Sequence, residues 1–191
     1  DGSLVSLWYD DGWRWSTNGT IFAADAPLEN GGFKTFQDLI DKALKKYKLD
    51  YDKLNPNYCY TMELCSRYNK VVIDYPEIQL WHTATVDLET LNEVEVDIGI
   101  PKPPAYICET KQDYEALVRA FEGNKEGIVV KDKDCKRVKI KTPLYFELHK
   151  KANNGKLTTE AALQIILDNE QSEFLSYFPE LEDFFQKVES E

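Results

Sequence analysis

Glu126 and Gly127 stand at the start of one β-rich run, Gly127–Lys131, and Lys139 and Lys141 alternate through a second, Arg137–Thr142. A hairpin turning at Asp132–Lys136 would bring an acid and two cations near one another. That set suits a nucleotide, because a carboxylate offers a hard oxygen to a divalent ion and fixed ammonium groups neutralise phosphate oxygens. Residues two apart on a strand share a face at about 6.6 Å. Arg137, Lys139 and Lys141 are therefore expected on one face, with Val138 and Ile140 turned to a core. Taken alone, such a strand also suits a solvated edge protected by charge, and a lone Glu126 is by default a surface carboxylate. Gly127 has no side chain and would let a ligand come close to the backbone.

The elements that must position these residues alternate between the periods of strand and helix. Leu4–Tyr9 and Trp13–Thr17 read as strands around Asp10-Asp11-Gly12, a tight-turn signal, and Asn18-Gly19 marks another turn. After Gly31-Gly32, the residues Phe33, Phe36, Leu39, Ile40, Ala43, Leu44 and Tyr47 repeat at helical spacing, with Thr35 and Asp38 as a capping box. Cys59–Cys65, Lys70–Tyr75 and Ile78–Ala84 read as strands, the first two joined through Arg67-Tyr68-Asn69. Thr85–Val96 is expected as a short helix and a strand, before the prolines 101, 103 and 104. Thr110 and Asp113 cap a second helix with Tyr114, Leu117, Val118 and Phe121 on one face and Gly123 as its stop. Pro143 ends the second lysine-bearing strand, and Asn153-Asn154-Gly155 is a break. Thr158 or Thr159 then caps a helix with a stripe of Leu163, Ile166 and Leu167, and Leu181, Phe184, Phe185 and Val188 mark a last one. The order is α+β with a C-terminal helical appendage.

The 191 residues, 42% hydrophobic and 13% aromatic, can fill a real core. A net charge of −11 argues against a non-specific nucleic-acid coat protein and leaves room for a local basic cleft. Much of the acid clusters near the C-terminus, where Glu170, Glu173, Glu180, Glu182, Asp183, Glu189 and Glu191 lie, so that segment is a poor RNA platform and a better protein contact. Cys59, Cys65, Cys108 and Cys135 form no CxxC pair and only His82 and His149 accompany them, which argues against zinc and for reduced thiols in a cytoplasmic protein. Both histidines read as structural or surface groups. No apolar run reaches the ~20 residues of a membrane span.

Five blocks in order carry a family resemblance. Asp1-Gly2-Ser3-Leu4 resembles the end of the K-x-D-G motif of covalent nucleotidyltransferases. Ser16-Thr17-Asn18-Gly19 stands at the second motif. Met62-Glu63-Leu64 with Tyr68-Asn69-Lys70-Val71-Val72-Ile73 resembles the third, and Leu80-Trp81-His82 the accessory motif after it. Glu126-Gly127-Ile128-Val129-Val130 and Val138-Lys139-Ile140-Lys141 match the fourth and fifth. Residues 1 to about 145 resemble the ATP-dependent RNA ligases of the phage tRNA-repair type, with DNA ligases and capping enzymes more distant. The Glu-Leu-Cys-Ser-Arg-Tyr-Asn-Lys-Val-Val-Ile block favours the RNA branch.

The resemblance implies an ATP-grasp-like nucleotidyltransferase fold, its antiparallel sheets flanking a nucleotide cleft. Residues 1–150 would be the adenylation domain and 151–191 the helical appendage. It implies a lysyl-AMP intermediate, transfer of AMP to an RNA 5′-phosphate, and its displacement by a 3′-hydroxyl. ATP and Mg²⁺ would be required. The partners would be RNA ends, such as those of damaged tRNA, and an end-healing kinase or phosphatase. Lys139, Lys141 and Glu63 would be catalytic and Glu126 would serve the metal. Asp1, Gly2, Glu63, Trp81, Lys139 and Lys141 would line the nucleotide. Trp81 either stacks on adenine or fills the core.

Two departures stand out. The nucleophilic lysine belongs two positions before Asp1, and the chain opens without an initiator methionine. A fragment cut just inside the motif, inactive by itself, is therefore expected. Asn18 stands where relatives usually place a basic residue. The competing readings are a DNA ligase or capping enzyme, disfavoured because no five-stranded OB-fold pattern follows Thr142, and a non-catalytic nucleotide- or RNA-end-binding module without the lysine.

Overall fold

The structure is a computed structural model that describes residues 1–70, 72–121, 125–142, 145 and 157–190. The chain divides into two units, Asp1–Ile107 and Cys108–Glu191. It is mixed α+β with antiparallel sheets and C-terminal helices, the expected class. Among the described residues no helix is long and apolar enough to cross a membrane.

The first unit is built on four antiparallel strands in the order β2-β1-β5-β6. These are β1 (Ser3–Tyr9), β2 (Trp13–Thr17), β5 (Tyr58–Cys65) and β6 (Gln79–Asp87). Their period-two pattern decides the inner face: Val5 and Leu7 of β1, Tyr60, Met62 and Leu64 of β5, and Leu80 and His82 of β6 are buried. A bulge interrupts β6, where Thr61 pairs with Ala84 but Met62 pairs with His82. The extra residue, Thr83, moves the next buried position to Thr85, and its hydroxyl donates to the Thr61 carbonyl at 3.0 Å. Helix α1 (Phe36–Leu44) covers this face with Leu39, Ile40 and Ala43. Its predicted capping box is present: the Asp38 amide donates to the Thr35 hydroxyl, and the Thr35 amide to the Asp38 carboxylate. Such a cap contributes about 1 kcal/mol.

Three sequence expectations change in this unit. Gly31-Gly32 turn a small hairpin, β3 (Pro27–Asn30) and β4 (Phe33–Thr35), so Phe33 belongs to a strand rather than to the helix. Of the strand expected at Lys70–Tyr75, residue 71 lies outside the described residues and residues 72–75 form no strand. The amides of Val72 and Ile73 donate instead to one oxygen of the Asp1 carboxylate, at 3.0 and 2.6 Å. No helix forms in Thr85–Val96, because β6 continues to Asp87, whose carboxylate caps a turn by accepting from the Glu89 and Thr90 amides.

The second unit holds α2 (Lys111–Arg119), the hairpin β7 (Gly127–Lys131) and β8 (Arg137–Lys141), and the helices α3 (Thr159–Leu167), α4 (Gln171–Tyr177) and α5 (Glu182–Ser190). The capping box of Thr110 and Asp113 is present, and Thr158 caps α3. Gly123, Pro143, His149 and the break at residues 153–155 lie outside the described residues. Ala162, Ile165, Phe174, Phe178, Phe185 and Val188 make the core of the helical part, with the Phe174 ring centroid 4.9 Å from that of Phe178 and 5.5 Å from that of Phe185. The stripe expected on α3 is displaced in part: Ile166 packs against the helical core, but Leu163 and Leu167 are exposed, and the small Ala162 with Ile165 is buried against the aromatic cluster. The expectation that Val138 is turned to a core also fails. The two-stranded ribbon leaves Val138 64% exposed, whereas Lys141 on the other face is buried.

Candidate functional site

The β7–β8 hairpin sets the charged residues together. Its turn is fixed by Asp132, whose carboxylate accepts from the amides of Asp134 and Lys136, both at 2.9 Å. The register pairs Gly127 with Lys141 and Val129 with Lys139. Beyond the last rung the Thr142 amide donates to the Glu126 carbonyl at 2.7 Å, and the Thr142 hydroxyl to the Lys125 carbonyl at 2.6 Å. These two bonds hold Glu126 beside the lysines. A Cβ at Gly127 would collide with the backbone of Ile140 and Lys141, so only glycine permits this close approach.

The Lys139 ammonium lies 3.2 Å from the Glu126 carboxylate, and that of Lys141 lies 3.9 Å from the same oxygen. Both lysines also meet Glu170, Lys139 at 3.4 Å through one carboxylate oxygen and Lys141 through the other. Lys141 is the sheltered member, with its side chain 8% exposed against 51% for Lys139, and it rests over the Tyr145 ring at 5.4 Å. Burial pushes the Glu126 pKa up. Surrounding positive charges, Lys139 and Lys141 among them, more than offset this and hold it below the ordinary glutamate value. Burial likewise pulls Lys139 down, and Glu126 and Glu170 outweigh it, so its pKa is raised. Both shifts keep the groups charged.

The other predicted residues lie in the first unit. Glu63 pairs with Leu4 on one side and Trp81 on the other, all three on the sheet face turned away from the core. Trp81 therefore does not fill that core. Gly2 sits so close to β5 that a Cβ would lie 2.5 Å from the Leu64 carbonyl oxygen and 3.0 Å from a Glu63 carboxylate oxygen. The segment after β5 clamps the start of the chain. Besides the two amides that bind Asp1, the Asn69 side-chain amide donates to the Ser3 hydroxyl at 2.9 Å and to the Leu64 carbonyl at 2.7 Å. The Ser66 hydroxyl in turn bonds the Asn69 carbonyl oxygen at 2.6 Å. The structure thus gathers Asp1, Gly2, Glu63 and Trp81 in one unit, and Glu126, Lys139 and Lys141 in the other.

Sequence reasoning passed over Asn69, Ser66 and Glu170. The Ser-x-x-Asn spacing of a side-chain-bonded turn was a signal for the first two; Glu170 gave none beyond its charge. His82 is 2% exposed, its Nε2 is 2.8 Å from the Thr85 hydroxyl, and its buried Nδ1 has no hydrogen-bond partner among the described residues. This burial makes His82 a structural residue. Among the described residues no group of three or more His, Cys, Asp or Glu side chains could hold a metal by itself. Glu126 could supply one oxygen to Mg²⁺, which commonly keeps several waters and takes the rest of its shell from substrate phosphates. No disulfide links Cys59, Cys65, Cys108 and Cys135.

No family model matches the chain. It spans about half the length of the curated relative that it matches. The chain is similar to an RNA ligase of Rhodothermus phage RM378, at 28% identity over an alignment 221 positions long that covers 92% of this chain and 50% of that protein.

Proposed function

We propose that these residues form part of an ATP-dependent RNA ligase of the phage tRNA-repair type, a covalent nucleotidyltransferase that joins RNA 5′-phosphate and 3′-hydroxyl ends. The observation that carries this reading is the juxtaposition of Glu126 with Lys139 and Lys141 on one hairpin. It puts a carboxylate and two ammonium groups together in the order the motifs require. The similarity to a phage protein named as an RNA ligase supports RNA as the substrate class. Three helices in residues 157–190 speak against the OB-fold that follows the fifth motif in DNA ligases and capping enzymes.

In the proposed reaction, a lysine amine two positions before Asp1 attacks the α-phosphorus of ATP. The bond from that phosphorus to the bridging oxygen breaks, and pyrophosphate leaves with the electron pair. The AMP then passes to an RNA 5′-phosphate oxygen as the P–N bond to the lysine breaks and the amine is restored. The 3′-hydroxyl oxygen, giving up its proton, attacks the RNA 5′-phosphorus, and AMP leaves with the bridging oxygen. Lys139 and Lys141 neutralise charge growing on the phosphate oxygens without having to reorganise. Mg²⁺, held through Glu126, would act as a Lewis acid on the same phosphate. The Val72 and Ile73 amides hold Asp1 while Asn69 holds Ser3, and Gly2 lets Glu63 reach the ribose. Trp81 offers a ring face to adenine. A cytoplasmic setting supplies both ATP and cut RNA.

Intact mass spectrometry tests the reading on a polypeptide that includes the position two residues before Asp1, incubated with ATP and Mg²⁺. One AMP adduct on that polypeptide is expected, and none after Lys141→Met. Sealing of nicked RNA in preference to nicked DNA should follow. Absence of the adduct with both ATP and GTP would remove the ligase reading and leave the non-catalytic binding module.

A further inference from the structure

Glu170 has no place in the proposed chemistry, yet it bridges the two lysines on which that chemistry depends. One carboxylate oxygen reaches Lys139 and the other reaches Lys141, as two oxygens of a phosphate would. We infer that Glu170 is a positioning residue of the phosphate site: it holds Lys139 and Lys141 in place while no phosphate is bound, and gives way to the incoming triphosphate. This rests on reading the two lysines as phosphate ligands.

Three observations support it. The first is charge balance. Lys141 is sheltered and lies beside a second cation, and Glu170 together with Glu126 sets carboxylate charge against the pair. A triphosphate arriving with Glu170 in place would make the site strongly negative, so the carboxylate must leave.

The second is rigid delivery. Glu170 follows α3 in a Schellman turn: the Asn169 amide donates to the Ile166 carbonyl at 2.9 Å, and the Glu170 amide to the Ile165 carbonyl at 3.0 Å. Asn169 supplies the positive φ of 57° that this turn needs. Ile165 and Phe174, on either side, are buried in the helical core. The third is that the Glu170 side chain caps no helix, although it precedes α4, so its carboxylate is committed to the lysines.

Titration of the 191-residue chain with inorganic pyrophosphate, followed by calorimetry, tests the inference. Glu170→Gln keeps the shape and removes the competing charge. It should bind pyrophosphate about tenfold more tightly than wild type, equivalent to ~1.4 kcal/mol. Glu170→Asp, which restores the charge, should return toward the weaker wild-type affinity. Glu170→Ala is the second neutral variant, held to the same expectation should the glutamine variant fold poorly. Equal or weaker binding by a neutral variant that melts as a folded protein overturns the inference, because a purely structural ion pair would behave that way. No pyrophosphate binding by any variant overturns it too. Failure of the ligase reading looks different: no AMP adduct forms, while pyrophosphate still separates the variants.

Discussion

Gly127→Ala should unlatch the charged hairpin. The added Cβ would lie 2.0 Å from the carbonyl oxygen of Ile140 and 2.7 Å from the Cα of Lys141. Both are backbone atoms of the paired strand, so no side chain can swing aside. Restoring an ordinary van der Waals separation moves β8 away by roughly 1.4 Å at the rung that ends in Lys141. Overpacking of this kind costs about 2 kcal/mol. The displaced rung also strains the Thr142 bond to the Glu126 carbonyl, worth about 1 kcal/mol. A loss of about 3 kcal/mol lowers the melting point of a unit this size by roughly 15 °C. Gly19→Ala is the control: nothing lies within 4 Å of a Cβ there, so it should change stability by no more than about 0.5 kcal/mol. Calorimetric melting, with hydrogen exchange at the amides of Gly127–Lys131, reads both. If the alanine variant melts within a few degrees of wild type and keeps its strand protection, the steric argument is refuted, and with it the glycine's role in seating Glu126.

The two lysines should differ in stability although the same chemistry is proposed for both. Lys141→Met leaves two sheltered carboxylates short of a partner and should cost about 2–3 kcal/mol. Lys139→Met, at a half-exposed position, should cost at most about 1 kcal/mol; equal losses in thermal melts would contradict the burial argument. His82 predicts a pH dependence in the first unit. Burial, and then the charge of Lys102, lower its pKa in the folded state. Below about pH 6.5 the unfolded chain therefore takes up a proton that the folded chain refuses. Stability should fall as pH drops from that value and level off below the folded pKa, and His82→Leu should lack this component. An unchanged slope in that variant would assign the loss to other groups.

The parts of the fold written in local pattern were legible. Period-two alternation marks β1, β5 and β8, and both Thr-x-x-Asp boxes predict helix starts that the structure contains. The meeting of Glu126 with Lys139 and Lys141 could be read because a short hairpin brings them together. What sequence did not reveal depends on partners far along the chain. Residues 70–75 look like a strand, but the amides of Val72 and Ile73 are taken by a carboxylate more than 70 positions away. Glu170 lies 29 residues beyond Lys141, and nothing in its neighbourhood announces the pairing. The α3 stripe misled because large apolar residues were taken as the core face. Phe174 and Phe185 lie against Ala162 and Ile165, so the buried face is centred on those two residues and not on Leu163 and Leu167.

The clamp on Asp1 also bears on the order of assembly. It joins residues 71 positions apart, whereas even the widest rung of the β7–β8 pairing, Gly127 with Lys141, joins residues 14 apart. Closing the longer loop costs about 1.4 kcal/mol more in chain entropy, and it gains nothing until β1 has docked on β5. The hairpin with its ion pairs can therefore form on the timescale of an isolated hairpin, microseconds, while the seat of the Asp-Gly dipeptide waits for the whole first sheet. A substitution that weakens the clamp should leave the folding rate nearly unchanged and speed unfolding, so that a freshly made chain gains its charged cluster first and the anchoring of Asp1 last.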